Sequence, residues 1–238
     1  MKRFYDYKCI ACNYTGTDKD KSNNCPECGC VMERVKKRLF GYKLKGKKEL
    51  HNYWSNPDDG NEPEGYLDNK VTTLRSEYLH KIVSEHFTSD IKILELGSNV
   101  GRNLNFLHKN GYRDLTGVEI NLDAIKLMAT YYPKCFEDSK IRYGAIENLI
   151  KRFATDEFDL VFTVAVLEHI HPESEWIFKE MQRISKSILV IEDEWSWSTR
   201  HCPRNYNRVF KDMNQIKKER CGKFNGLQKR FMMRLFVK

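Results

Sequence analysis

From residue 70 onward, apolar segments of two different periods alternate, and no other feature restricts the fold of this chain as much. KVTTLRSEYLHKIVSEHF (70–87) places Leu74, Tyr78, Leu79, Ile82, Val83 and Phe87 at helical spacing. Short apolar runs follow at IKILEL (91–96), DLTGVEI (114–120), KIRYGA (140–145), FDLVFTVAV (158–166) and KSILVIED (186–193). Helical stretches separate them: 100–109, closed by Asn110 and Gly111; 121–132, ended by Pro133; and 174–185. Five apolar strands alternating with helices predict an α/β fold whose parallel sheet is covered on both faces. The last part differs. Residues 204–213 read as helix, and 214–222 and 229–238 face each other across a turn holding Gly226, so the final strand pair is expected to be antiparallel. The result is a doubly wound sheet of seven strands with a reversed last strand.

The first 50 residues follow other rules. Five of the eight cysteines lie within residues 1–30. Cys9-x2-Cys12 and Cys25-x2-Cys28 are two tight turns, each aiming two sulfurs at one point, and together they supply four thiolates for a tetrahedral zinc ion. Pro26 and Gly29 favour the second turn, Gly16 is expected at the reversal between the pairs, and Phe4–Lys8 and Val31–Val35 read as short strands. Almost nothing here can form an apolar core, so the metal must supply most of the folding free energy. Cys30 is left as a spare thiol. A basic run with interleaved Leu39, Phe40, Tyr42 and Leu44 follows, then a segment dense in Pro, Gly, Asn and Asp. The expected division is a zinc module with basic extension over 1–50, a linker over 51–69, and the α/β domain over 70–238.

Net charge is +8, unevenly spread: +7 over residues 1–50, +10 over 199–238 and −9 between them. Any polyanion should prefer the ends. No apolar run approaches the roughly 20 residues needed to span a bilayer, and the N-terminal residues lack the apolar region of a secretory signal. A cytoplasmic protein without a membrane span is the expectation, and it also explains cysteines used for metal rather than disulfides.

Chemistry concentrates where the first strand ends, in ILELGSNVG (93–101). Glu95 stands at the carboxyl end of that strand, and Gly97 and Gly101 let backbone pass close beneath a ligand before a helix begins. Free N–H groups at a helix start suit a carboxylate or phosphate. Glu119 ends the second strand, where a carboxylate can hold a ribose diol. The dinucleotide fingerprint is absent, since positions 97, 99 and 102 read Gly, Asn and Arg. An ammonium, a carboxylate and a ribose on one ligand describe S-adenosylmethionine.

ELGSNVG (95–101), GVEIN (117–121) and FDLVFTVAVLEHIHPE (158–173) together resemble the class I S-adenosylmethionine-dependent methyltransferases, in particular the group whose fourth strand runs into Val-Leu-Glu-His. Residues 4–35 resemble a rubredoxin-like zinc ribbon. The first resemblance implies a Rossmann-like sheet in the order 3-2-1-4-5-7-6. It implies that Glu95, Gly97, Ser98, Asn99 and Gly101 hold the methionine portion, that Glu119 takes the ribose hydroxyls with Ile120 against the adenine, and that Ala145 and Ile146 edge the adenine. Thr163 and Val164 would lie under the methionine. Two positions depart from the family pattern: Asn99 replaces a glycine, and Ala145 replaces a frequent acidic residue.

Methyl transfer needs a positioned nucleophile, and a base if the acceptor carries a proton. His169 is the candidate base, with a packing or substrate-contacting role as the alternative; His171 before Pro172 shapes the start of the next helix. Glu192, Asp193 and Glu194, with Trp195 and Trp197, form a rim that could grip a sugar or an amine, or simply pack. The favoured acceptor is a small molecule such as a sugar, glycan or nucleotide-activated metabolite. RNA is the alternative, held by the zinc ribbon and basic ends. A third reading is a non-catalytic module with a degenerate cofactor site.

Overall fold

A computed structural model of the chain describes residues 6–9, 15–17, 25, 28, 30, 33–34, 44–58, 60–196 and 198–238. The N-terminal strands β1 (Asp6–Lys8), β2 (Thr15–Thr17) and β3 (Glu33–Arg34) form an antiparallel sheet in the order β2-β1-β3. Gly16 lies within β2, opposite Tyr7, and not at a reversal. Helix α1 (Lys47–Ser55) and a 3-10 turn, Pro63–Tyr66, occupy much of the segment expected as linker. Local Pro and Asn density does shape residues 56–69. Leu50 is the buried side chain of α1, and Trp54 stands one turn further along.

The larger sheet is built from β4 (Ile93–Leu96), β5 (Leu115–Glu119), β6 (Lys140–Tyr143), β7 (Phe158–Val164), β8 (Ser185–Asp193), β9 (Asn214–Arg220) and β10 (Phe231–Val237). Its order is β6-β5-β4-β7-β8-β10-β9, with β10 antiparallel to both neighbours. In strand numbers that is the expected 3-2-1-4-5-7-6. Alternate residues of one strand serve opposite faces. Ile93, Leu160, Phe162, Leu189 and Ile191 pack toward α2 (Lys70–His86), α3 (Arg102–Lys109) and α4 (Leu122–Tyr131). Leu94, Leu96, Val161, Ile188 and Val190 pack toward α6 (Ile146–Leu149), α7 (Trp176–Ile184) and α8 (Tyr206–Val209). Helix α5 (Pro133–Asp138) extends the first layer. β9 carries Lys217, Lys218 and Arg220 along the sheet's edge, charges that discourage pairing with another chain.

Helix was expected over 204–213, but α8 has only four residues. Arg204 is the reason. Its wholly buried guanidinium donates to Glu175 Oε1 at 2.9 Å and to the carbonyls of Leu167, Cys202 and Ile170, so the backbone before α8 follows those contacts. The same place receives the N-terminal module: Cys30 pairs with Arg204 as an isolated antiparallel bridge, and Cys30 Sγ lies 2.9 Å from Cys202 Sγ. Cys30 is therefore no bystander. It is buried at the junction of the two sheets' domains.

Candidate active site

The carboxyl ends of β4, β5 and β7 open into one cavity of about 300 Å³. Glu95, Gly97, Ser98, Asn99, Glu119, Ile120, Ala145, Ile146, Val164 and His169 all line it. Gly101 and Thr163 do not. Gly101 caps α3 with φ 70°, and a Cβ there would meet the Met128 side chain. Thr163 is fully buried and donates its hydroxyl to Glu192 Oε1 at 2.6 Å.

The loop after β4 is shaped by two left-handed residues. Gly97 has φ 74°, and a Cβ on it would stand 2.5 Å from Val166 Cγ2. Asn99 has φ 48°, a conformation that asparagine tolerates better than most residues. Glu119 then ties the loop to β5: its two oxygens accept from the backbone N–H of Asn99 and of Asn121, each at 2.7 Å. A carboxylate has capacity for further donors after those two.

Glu95 is buried at 1% exposure. Its Oε1 accepts from Asn103 Nδ2 at 2.8 Å, while Oε2 is buried without a hydrogen-bond partner among the described residues. Burial pushes its carboxyl up to about 8, against lowering by Asn103 and by the nearby Arg102 guanidinium. A buried, half-satisfied carboxylate in a cavity wall is costly unless a cation or donor meets it. Behind it runs a polar chain absent from the sequence reading. Arg102 Nε donates to Ser76 Oγ (3.0 Å), Ser76 Oγ donates to Asn103 Oδ1 (2.9 Å), and Arg102 Nη1 donates to the Tyr66 carbonyl (2.9 Å). Only the arrival of α2 beside α3 brings Ser76 into it, so no spacing in the chain announces it.

The cavity's far wall comes from Leu50, the last residue of the expected N-terminal module, and from His51, Trp54, Pro57 and Tyr66 of the segment expected as linker. His51 Nε2 lies 2.9 Å from Glu147 Oε1, and the Trp54 ring lies 4.3 Å from the His169 ring. The four-residue spacing of Leu50 and Trp54, one helical turn, was the available signal. Here α1 roofs the site.

The His169 Nδ1–H donates to the Arg200 carbonyl at 2.9 Å, which leaves Nε2 as the nitrogen with a lone pair. Burial and the adjacent His201 push His169 down to about 3, so the ring stays neutral. His171 Nδ1 accepts from the Glu173 N–H, capping the turn at Pro172. The rim carboxylates turn inward instead of gripping an acceptor. Glu194 makes a two-pronged pair with Arg234 at 2.6 and 2.8 Å, and Glu192 Oε2 accepts from Val166 and Leu167 N–H. Asp193 Oδ1 accepts from the N–H of Trp195 and Ser196. Trp197 lies outside the described residues.

Of the expected zinc ligands, Cys12 lies outside the described residues. The sulfurs of Cys9, Cys25 and Cys28 lie within 4.8 Å of one another, with Cys9 and Cys28 at 3.4 Å.

Residues 94–188 match the family model of a methyltransferase domain. A ubiquinone biosynthesis O-methyltransferase of Rickettsia bellii is 24% identical over 153 residues, covering 62% of this chain and 59% of that protein. The chain thus spans about three-fifths of the length of the curated relatives it matches. Among solved structures, a Burkholderia thailandensis 1,6-didemethyltoxoflavin N1-methyltransferase with bound S-adenosylhomocysteine superposes with TM-score 0.62 at 14% identity, covering 84% of this chain and 93% of that one. A chain from the complex of the Haloferax volcanii Trm112 methyltransferase activator with a methyltransferase superposes with TM-score 0.62 at 13% identity, covering 79% and 97%. Fold and match agree on the class: an α/β protein with the class I methyltransferase sheet. More particularly, residues 94–188 are similar to a methyltransferase domain, and they hold the strands β4 to β7 whose carboxyl ends form the cavity. Among the described residues, no helix is long and apolar enough to cross a membrane.

Proposed function

We propose that the protein transfers the methyl group of S-adenosylmethionine to a small-molecule acceptor. The observation that carries the cofactor's placement is Glu95 Oε2, a buried carboxylate oxygen without a partner in the wall of the cavity. It fits the ammonium of the methionine portion. Arg75 and Arg102 also line the cavity and suit the carboxylate, the N–H groups of the 97–101 loop assist, and Glu119 has capacity for the ribose hydroxyls. Ile120, Ala145 and Ile146 border the adenine, so its recognition falls to apolar contact and backbone groups. Val164 lies toward the methionine. Bound in this way, the cofactor supplies an electrophilic methyl on a sulfonium.

The acceptor side is enclosed by Trp54, His51 and His169, which favours a compact molecule over a polymer. His169, held neutral, presents Nε2 as a hydrogen-bond acceptor or ligand; so low a basicity makes it a weak proton acceptor. At the N-terminus, the donor set fits structural zinc. Four sulfurs at ~2.3 Å from a tetrahedral ion stand about 3.8 Å apart, close to the spread of Cys9, Cys25 and Cys28. Cys12 would be the fourth ligand.

Calorimetric titration with S-adenosylhomocysteine tests the cofactor reading. One site in the micromolar range is expected, and Glu119→Ala should weaken it sharply while the protein stays folded. Folded protein without binding would refute the reading and favour a non-catalytic module. A salt-sensitive RNA affinity, with no methylation of small acceptors, would favour RNA as the substrate.

A further inference from the structure

Beside the cavity, where His169 lines it, lies a second constellation, completed by a loop far along the chain. Ligand atoms of Glu168, His169 and His201 lie within 4.8 Å of one another, and the two imidazole rings are 4.6 Å apart. Each ring has its Nδ1 engaged. His169 Nδ1 meets the Arg200 carbonyl and His201 Nδ1 meets the Ser198 hydroxyl, which itself accepts from the Arg200 N–H. Outer contacts of this kind set the tautomer of a metal-binding histidine and leave Nε2 to the ion.

The carboxylates beside the rings point the same way. Glu168 is 1% exposed and abuts Glu192. Glu192 is already satisfied by Thr163, Val166 and Leu167. The nearby buried cation, Arg204, spends its hydrogen bonds on Glu175 and three backbone carbonyls. Asp193 Oδ2, 2.9 Å from Arg230 Nε, is buried without an aligned hydrogen bond. This end of the site therefore gathers four buried carboxylates, of which Asp193 faces Arg230 and Glu194 faces Arg234.

We propose that Glu168, His169 and His201 bind a divalent transition-metal ion next to the acceptor side of the cavity. Two imidazoles and one carboxylate select Mn²⁺, Fe²⁺, Co²⁺ or Zn²⁺ over Ca²⁺ and Mg²⁺, and leave positions for other ligands. Since His169 lines the cavity, an acceptor bearing two adjacent oxygens can complete the coordination. This last part rests on the methyltransferase reading. The acceptor O–H becomes more acidic and its proton passes to water, the oxygen–methyl bond forms, and the sulfonium–methyl bond breaks with its electron pair returning to sulfur.

Mn²⁺ is the probe of choice, because thiolate sites take it poorly and the cysteine module need not be disturbed. The zinc-replete full chain is titrated with Mn²⁺ alone, and free ion is followed by electron paramagnetic resonance. We expect one equivalent bound with a Kd tighter than about 1 mM, weakened at least about tenfold in His201→Ala and in Glu168→Gln. S-adenosylhomocysteine affinity, measured on the same samples, should change little in His201→Ala. No uptake by the folded wild type overturns the site, as does equal uptake in wild type and His201→Ala. Because metal and S-adenosylhomocysteine are measured separately, loss of either reading leaves the other standing.

Discussion

Residues 70–238 bury apolar side chains on both faces of a seven-stranded sheet, whereas the described N-terminal residues meet the rest of the protein through Cys9, Cys25, Cys30 and Cys202. In the first region, dozens of small transfer terms add up, and loss of one is tolerated. In the second, among the described residues, the buried cluster consists of a few cysteines. The sheet domain has its own contrast, between an apolar middle and a polar carboxyl end where Glu95, Glu119, Glu168 and Glu192 are all buried. Stability and function have been given different ends of the same strands.

The sharpest way to break the first comparison is to remove the zinc proposed for the N-terminal module. Chelation or Cys25→Ser should unfold residues 1–45 and leave the sheet intact, with a loss on the order of 10 kcal/mol for the module. Limited proteolysis read by mass spectrometry checks this. A metal-free module that still resists protease would show that zinc is not what holds it.

The next effect concerns the polar end. Glu95 titrates near 4.5 when unfolded and at about 8 when folded, so between those values the folded state binds the extra proton. Stability is then fully present below pH 4.5 and falls as pH rises toward 8, by up to about 5 kcal/mol for such a shift. Glu119 and Glu168 add to the same slope. Thermal melts from pH 5 to pH 8 should therefore decline in the free protein. S-adenosylhomocysteine should reduce the decline, and its binding at pH 7 should release a proton, seen as buffer-dependent calorimetric heat.

Glu95→Gln comes third: it keeps the shape but cannot pair with an ammonium, and cofactor affinity should fall about 30- to 100-fold, near 2–3 kcal/mol. The melt of the free variant should rise or hold steady, the opposite of what a purely structural carboxylate would give. Smallest is Gly97→Ala. With φ 74° and Val166 2.5 Å from the new Cβ, it should cost about 1–3 kcal/mol of stability and weaken cofactor binding by misplacing the loop. A melt unchanged from wild type would mean that the loop is freer than its geometry implies.

How much was legible in the sequence follows from which interactions are local. The strand ends at Glu95 and Glu119 could be placed because an apolar run that stops at a carboxylate is a one-dimensional pattern. The polar chain from Arg102 through Ser76 to Asn103 could not, since α2 and α3 meet only in the folded protein. Thr163 sat at the right strand end, yet its hydroxyl turns inward to Glu192, a choice made by β8 lying next to β7.

By itself the sequence determined the sheet: the period of the apolar residues dictates strands and helices, and burial of both faces leaves few ways to stack them. The reversed last strand follows from that and from the turn at Gly226, while the seven-strand order was what the family resemblance implied. Only the tertiary structure decided what stands over the site. Helix α1 closing on His169, Cys30 buried against Cys202, and His201 brought beside Glu168 and His169 are contacts between segments with up to 172 positions between them. No local period encodes such meetings; they are set by which surfaces remain uncovered once the sheet has formed.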